Sequence, residues 1–160
     1  YNGGVKFILS SHGPYHAQYH ICWCTKYRRR ILNPGVSEYL RKILLKIVRS
    51  MAGVIIEELG IDEKLKDHVH LVMIIPPKYS ASDVVAQIKA QSASQLRKKF
   101  LFLEKVYWKE NIVWSPGFFL STVGVNEKVI KEYVKWQGKH DLGQIHLKMD
   151  LLMCFKVPRL

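Results

Sequence analysis

Apolar positions recur along this chain with two different periods. Val36, Tyr39, Leu40, Ile43, Leu44, Ile47, Val48 and Met51 fall at helical spacing, the buried stripe of an amphipathic helix. Asn33-Pro34 marks its start and Gly53 its expected stop, while Arg41, Lys42, Lys46 and Arg49 lie off the stripe. A second stripe, Val85, Ile88, Ser92, Leu96, Phe100 and Leu103, predicts another long helix opened by the capping signature Ser80-Ala81-Ser82-Asp83. Its middle, residues 90–94, is small and polar, leaving room for a backbone or a nucleic-acid strand to approach. Asn126 is a good N-cap for a third helix, with Val125 and Ile130 placed as a hydrophobic staple.

Between these helices the pattern changes to β-branched and aromatic runs. Strands are expected over 16–25, 54–59, 68–75 and 118–123. Residues 60–67 form a polar turn that makes the second and third strands a hairpin. Gly3-Gly4 and Gly13-Pro14 suggest that residues 1–15 are an irregular lead-in. The order strand, helix, strand, strand, helix, strand, helix is α+β: a ferredoxin-like β-α-β-β-α-β antiparallel sheet with an added C-terminal helix. One domain is expected over 16–140, followed by a tail, 141–160, that packs on the domain or on a partner. No internal repeat, low-complexity tract or linker interrupts it.

Two short stretches carry candidate chemistry. His68-Val69-His70 sits in a run that ends at Pro76-Pro77. Alternation along a strand puts His68 and His70 on one face, with Val69 and Leu71 on the other, and two such imidazoles can chelate one divalent metal ion. In Tyr133-Val134-Lys135-Trp136-Gln137, on the third helix, Tyr133 and Gln137 are one turn apart, so a phenol and an amide oxygen could approach that metal together. The plainer readings are a His-x-His without metal and a core tyrosine with its hydroxyl at the surface.

Charge narrows the partner. The 160 residues hold 25 Lys+Arg against 13 Asp+Glu, a formal net charge of +12. That excess favours a polyanion, nucleic acid first and an anionic membrane surface second. Lys26-Tyr27-Arg28-Arg29-Arg30 is a dense basic patch with a ring available for stacking. Lys89, Arg97 and Trp114 are the other candidate DNA contacts. Cys22, Cys24 and Cys154 are an odd set without a disulfide framework. His20, Cys22 and Cys24 share a strand face, a conceivable zinc trio, although small buried thiols are the plainer reading. No apolar stretch is long enough to span a bilayer and no signal peptide is evident, so a soluble cytoplasmic protein is expected.

Several blocks, in order, resemble the single-tyrosine HUH transposases of small bacterial and archaeal insertion sequences. They are His20-Ile21-Cys22-Trp23-Cys24-Thr25-Lys26-Tyr27-Arg28-Arg29, Asp67-His68-Val69-His70-Leu71-Val72, Ile88-Lys89, residues 114–124 (Trp114-Ser115-Pro116-Gly117 onward) and Tyr133-Val134-Lys135-Trp136-Gln137. Ala90 stands where relatives often carry glycine, and Lys135-Trp136 where an acidic and an amide residue are common. The resemblance implies that His68, His70 and Gln137 bind Mg²⁺ or Mn²⁺ and that Tyr133 is the nucleophile. It also implies a homodimer that recognises single-stranded DNA hairpins at element ends.

The implied chemistry suits these residues. A metal on a nonbridging oxygen polarises an unreactive phosphodiester. Attack by Tyr133 gives a 5′-phosphotyrosine and frees a 3′-hydroxyl, so one phosphodiester replaces another and no ATP is needed; the chain has no G-x-x-x-x-G-K-[ST] loop. Two other readings compete. A histidine-triad hydrolase requires a third histidine where Val72 stands. A non-catalytic single-stranded nucleic-acid-binding module, or an inactive domesticated relative, would explain the charge but leaves the His pair, Tyr133 and Gln137 without a role.

Overall fold

The computed structural model describes residues 7–108 and 110–122. The expected third helix with Tyr133 and Gln137, and the tail 141–160, lie outside the described residues.

A four-stranded antiparallel sheet is built from β3 (Gln18–Cys24), β4 (Ile55–Ile61), β5 (His68–Ile74) and β6 (Phe119–Thr122), in the spatial order β4-β5-β3-β6. Between the strands run α1 (Pro34–Val48) and α2 (Ala81–Lys99). The β-α-β-β-α-β order and this strand order are those of the expected ferredoxin-like sheet. β5 is interior, paired with β3 over its whole length and with β4 from Val69 to Ile74.

Both long helices begin where the capping residues predict. Asn33 Oδ1 accepts from Val36 N at 3.1 Å, with Pro34 in the first turn where its missing N–H is harmless. Ser80 Oγ accepts from Asp83 N. The helices bury Val36, Leu40, Ile43, Leu44, Ile47, Val84, Val85, Ile88 and Leu96 against Ile21, Trp23, Val69, Leu71 and Met73 of the sheet. By strand alternation these five sheet residues occupy one face.

Four boundaries differ from the expectation. Residues 7–15 are not irregular: β1 (Ile8–Ser10) and β2 (Gly13–Tyr15) form a small hairpin. Its turn is closed by Ser10 Oγ, which accepts from His12 N and donates to Gly13 O, while Gly13 takes φ +130°. α1 stops at Val48, before Gly53. Gly53 instead serves the approach to β4, with φ +86° and Pro76 so close that an added Cβ would lie 2.8 Å from Pro76 Cγ. β4 runs on through Gly60 to Ile61, and the turn is confined to 62–67. The second helix does not continue through Phe100. That residue leaves helical backbone (φ −117°, ψ 88°), its ring packs edge-on against Tyr39 at 5.6 Å, and a separate short helix, α3 (Phe102–Val106), follows.

Candidate metal and nucleic-acid site

The face of β5 opposite the helices carries the histidines, as alternation predicts. Register places Cys24 across from His68, Cys22 across from His70 and His20 across from Val72 on β3. Gly60 of β4 lies across from His70 on the other side. His68, His70, His20, Cys22 and Cys24 are all buried. The rings of His68 and His70 meet edge to face, 4.8 Å between centroids, and His20 stacks on His70 at 5.7 Å.

The two imidazoles are held differently. His68 Nδ1 lies 2.7 Å from Asp67 Oδ1; with Nδ1–H donating to the carboxylate, Nε2 keeps its lone pair. Asp62 Oδ2 stands 3.7 Å from that Nε2, while Asp62 Oδ1 accepts from Leu65 N and Lys66 N, closing the turn before β5. His70 Nε2 is 3.8 Å from Cys22 Sγ, and its Nδ1 is buried without a hydrogen-bond partner among the described residues. Burial, then the neighbouring His68 and His20, hold His70 well below the ordinary imidazole pKa, so it stays neutral. Burial also pushes the Asp67 carboxyl upward, but its hydrogen bonds to His68 and Arg28 and the charge of Arg28 outweigh this and hold it below the ordinary range.

This donor set fits a divalent metal. A metal ligand must be a neutral imidazole, oriented by a partner on its other nitrogen; His68 has that partner in Asp67. An unpartnered buried nitrogen is costly, and a metal ion would satisfy the one on His70. The set is partial: among the described residues no three His, Cys, Asp or Glu side chains are grouped to hold a metal. His20, Cys22 and Cys24 therefore do not group as a zinc trio among the described residues, and both cysteines are buried thiols outside any disulfide.

The candidate DNA contacts sort into two groups. Tyr27, Arg29 and Arg30 are exposed and Lys26 half-buried, its Nζ 5.0 Å from the Tyr27 ring centre. These four remain available on the surface. Three others are engaged within the fold. Arg28 is turned inward: its Nε donates to Asp67 Oδ2 at 2.8 Å. Lys89 is buried, and its Nζ donates to the carbonyls of Ser115, Pro116 and Gly117 at 2.7, 3.1 and 2.9 Å. Trp114 is core: its indole N–H donates to Ser92 Oγ at 2.9 Å and its ring meets Trp23 edge to face at 6.0 Å. The small middle of α2 thus receives an indole rather than a nucleic-acid strand. Arg97 is half-buried, with Nε and Nη1 fully enclosed. It lines a groove of about 830 Å³ with Lys98, Lys105 and Trp108, and Trp108 is 85% exposed.

Sequence reasoning gave Asp67 no role, although it directly precedes the His-x-His pair. It also placed Trp114, and not Trp108, among the DNA contacts. No local signal separates those two tryptophans; the partner that buries Trp114, Ser92, lies 22 residues away.

Comparison with known proteins agrees with these features. The family pattern described as Transposase IS200 like matches residues 14–137. The ISDra2 transposase TnpA of Deinococcus radiodurans is 31% identical over 128 residues, 79% of this chain and 86% of that protein. The transposase for insertion sequence element IS200 of Salmonella typhimurium is 30% identical over 131 residues, 82% and 83%. A crystal structure assigned as a transposase of Deinococcus radiodurans R1 superimposes with TM-score 0.60 at 27% identity, covering 87% of this chain and 97% of that one. A REP-associated tyrosine transposase bound to a REP hairpin shares the fold at TM-score 0.54 and 15% identity, covering 91% and 88%. Among the described residues no helix is long and apolar enough to cross a membrane.

Proposed function

Because the chain belongs to the IS200-like transposase family, we propose that it cuts and rejoins single-stranded DNA at insertion-sequence ends, with Tyr133 as nucleophile and His68, His70 and Gln137 as ligands of Mg²⁺ or Mn²⁺. The observation that carries this reading is the histidine pair itself. Two buried imidazoles share one face of the central strand, one oriented by Asp67 and the other with a nitrogen that has no hydrogen-bond partner among the described residues.

When bound, the metal would polarise the scissile phosphate and neutralise its charge. The remaining work falls to the chain. His68 and His70 are held on a rigid strand, His70 kept neutral by its burial, and the exposed Tyr27, Arg29 and Arg30 beside that strand's start suit a phosphate backbone and its bases. The Tyr133 oxygen would attack phosphorus, forming a 5′-phosphotyrosine as the P–O bond to the departing 3′-oxygen breaks. That 3′-hydroxyl, or another, can reverse the step. The likeness to a hairpin-bound tyrosine transposase supports folded single strands as substrate, and the family supports a homodimer in which Tyr133 completes a site.

Denaturing electrophoresis with end-labelled single-stranded hairpins from the gene's flanks, with Mn²⁺ or chelator, tests the reading. The expected result is a metal-dependent covalent adduct that disappears in Tyr133→Phe while DNA binding stays within a few fold. Retardation on native gels with no adduct under any condition would make the protein a binding module instead.

A further inference from the structure

We propose that Arg28 is a positioning residue: through the Asp67 carboxylate it fixes the orientation and tautomer of His68. The consequence for metal binding rests on the reading of His68 as a ligand. Asp67 serves one neighbour with each oxygen. Oδ2 accepts from Arg28 Nε at 2.8 Å, and Oδ1 faces His68 Nδ1 at 2.7 Å. A carboxylate held at one oxygen can still rotate about its Cβ–Cγ bond; one anchored at both cannot. The side chains of Asp67 and His68 are 7% and 4% exposed and that of Arg28 23%, so water competes little for these bonds.

The backbone on both sides is arranged for this contact. Tyr27 and Arg28 take φ +59° and +54°, two consecutive left-handed residues of which neither is glycine. Such a turn persists only where its surroundings hold it. Thr25 does so by donating its hydroxyl to Arg29 O at 2.8 Å and its N–H to Asp67 O at 2.8 Å. Leu32 N donates to Lys66 O at 2.9 Å, tying the end of the same loop to the residue before Asp67. The loop thereby returns Arg28 to Asp67, the residue just before β5, and turns its guanidinium inward while Arg29 and Arg30 stay exposed.

With Nδ1–H committed to Asp67, the His68 lone pair resides on Nε2. The opposite tautomer would carry a proton there and could not ligate. Arg28 therefore acts on the competence of His68 through Asp67.

Histidine-labelled protein, metal-free, can be compared by ¹⁵N NMR as wild type, Arg28→Lys and Arg28→Met, followed by Mn²⁺ titration read as free-ion EPR signal, with His68→Ala as reference. Wild-type His68 is expected as the Nδ1–H tautomer. Arg28→Met should give a tautomer mixture and a Mn²⁺ affinity lower by about 10- to 100-fold, and Arg28→Lys, which keeps a cationic donor, should recover part of both. Wild-type tautomer and affinity in both variants would overturn the proposal. If Arg28→Met does not fold, Arg28→Lys alone decides it, by an intermediate or an unchanged tautomer ratio. A wild type that binds no Mn²⁺, or binds it equally as His68→Ala, would overturn the ligand reading instead; the tautomer comparison, made without metal, still decides what Arg28 does.

Discussion

Lys89 is a cation in a basic chain, yet its three donated hydrogen bonds go to the carbonyls of 115–117. It pins the segment leading into β6 to the middle of α2. Lys89→Met would leave those carbonyls without their donor, and urea unfolding should show a loss of about 1–3 kcal/mol. Its pH dependence has a definite sign. Burial lowers the Lys89 ammonium to about 8, against 10.5 for an ordinary lysine. Between those values the unfolded chain binds more protons than the folded one, so this group's contribution to stability rises with pH. Below about 8 and above 10.5 it is constant. Wild type should therefore gain on Lys89→Met as the pH goes from 8 to 10; a fall over that range would mean that the carbonyl cage outweighs burial.

The short helix α3 and the segment after it sort the aromatic residues. Trp114 forms an isolated bridge with Thr25 at the end of β3 and is buried with Tyr107, whereas Trp108, at φ +42°, stands in solvent. Trp114→Ala should cost about 3–5 kcal/mol in chemical denaturation, as deletion of a large core ring does. Trp108→Ala should change stability by less than about 0.5 kcal/mol but weaken single-stranded DNA binding by about 1–3 kcal/mol if its ring stacks a base; equal DNA binding by fluorescence anisotropy would remove it from the interface. The contrast also marks what was legible beforehand. Helix starts were, because Asn33 and Ser80 cap within three residues of themselves. The face of β5 was, because alternation is local. The break at Phe100 was not, since no glycine or proline signals it and its ring is held by Tyr39 of another helix. The β1-β2 hairpin was not, since its Ser11-His12 turn lacks the usual Asn-Gly chemistry. Arg28 looked like one of three equivalent arginines because Asp67, which claims it, is 39 residues away. Tyr133 and Gln137 lie outside the described residues, so that half of the candidate site rests on sequence and family.

At the scale of the molecule, a net charge of +12 attracts polyanions at long range, but it does not say which cations touch phosphate. The fold divides them. Arg28 and Lys89 satisfy internal acceptors, while Arg29 and Arg30 face outward beside Lys26 and Tyr27. Only cations that displace counterions from the DNA contribute to the salt dependence of binding, by about 0.7 in log–log slope for each single-strand phosphate contact. Replacing Arg29 and Arg30 with glutamine should therefore flatten the slope by up to about 1.4, measured by anisotropy across a salt series in chelator. Arg28→Met under the same conditions should leave the slope unchanged, although it removes the same formal charge as either neighbour. A slope that falls equally for every arginine removed would mean that binding follows total charge. A slope that falls only for the outward pair would mean that the turn at Tyr27 and Arg28 separates a DNA-facing surface from the support of the histidine site.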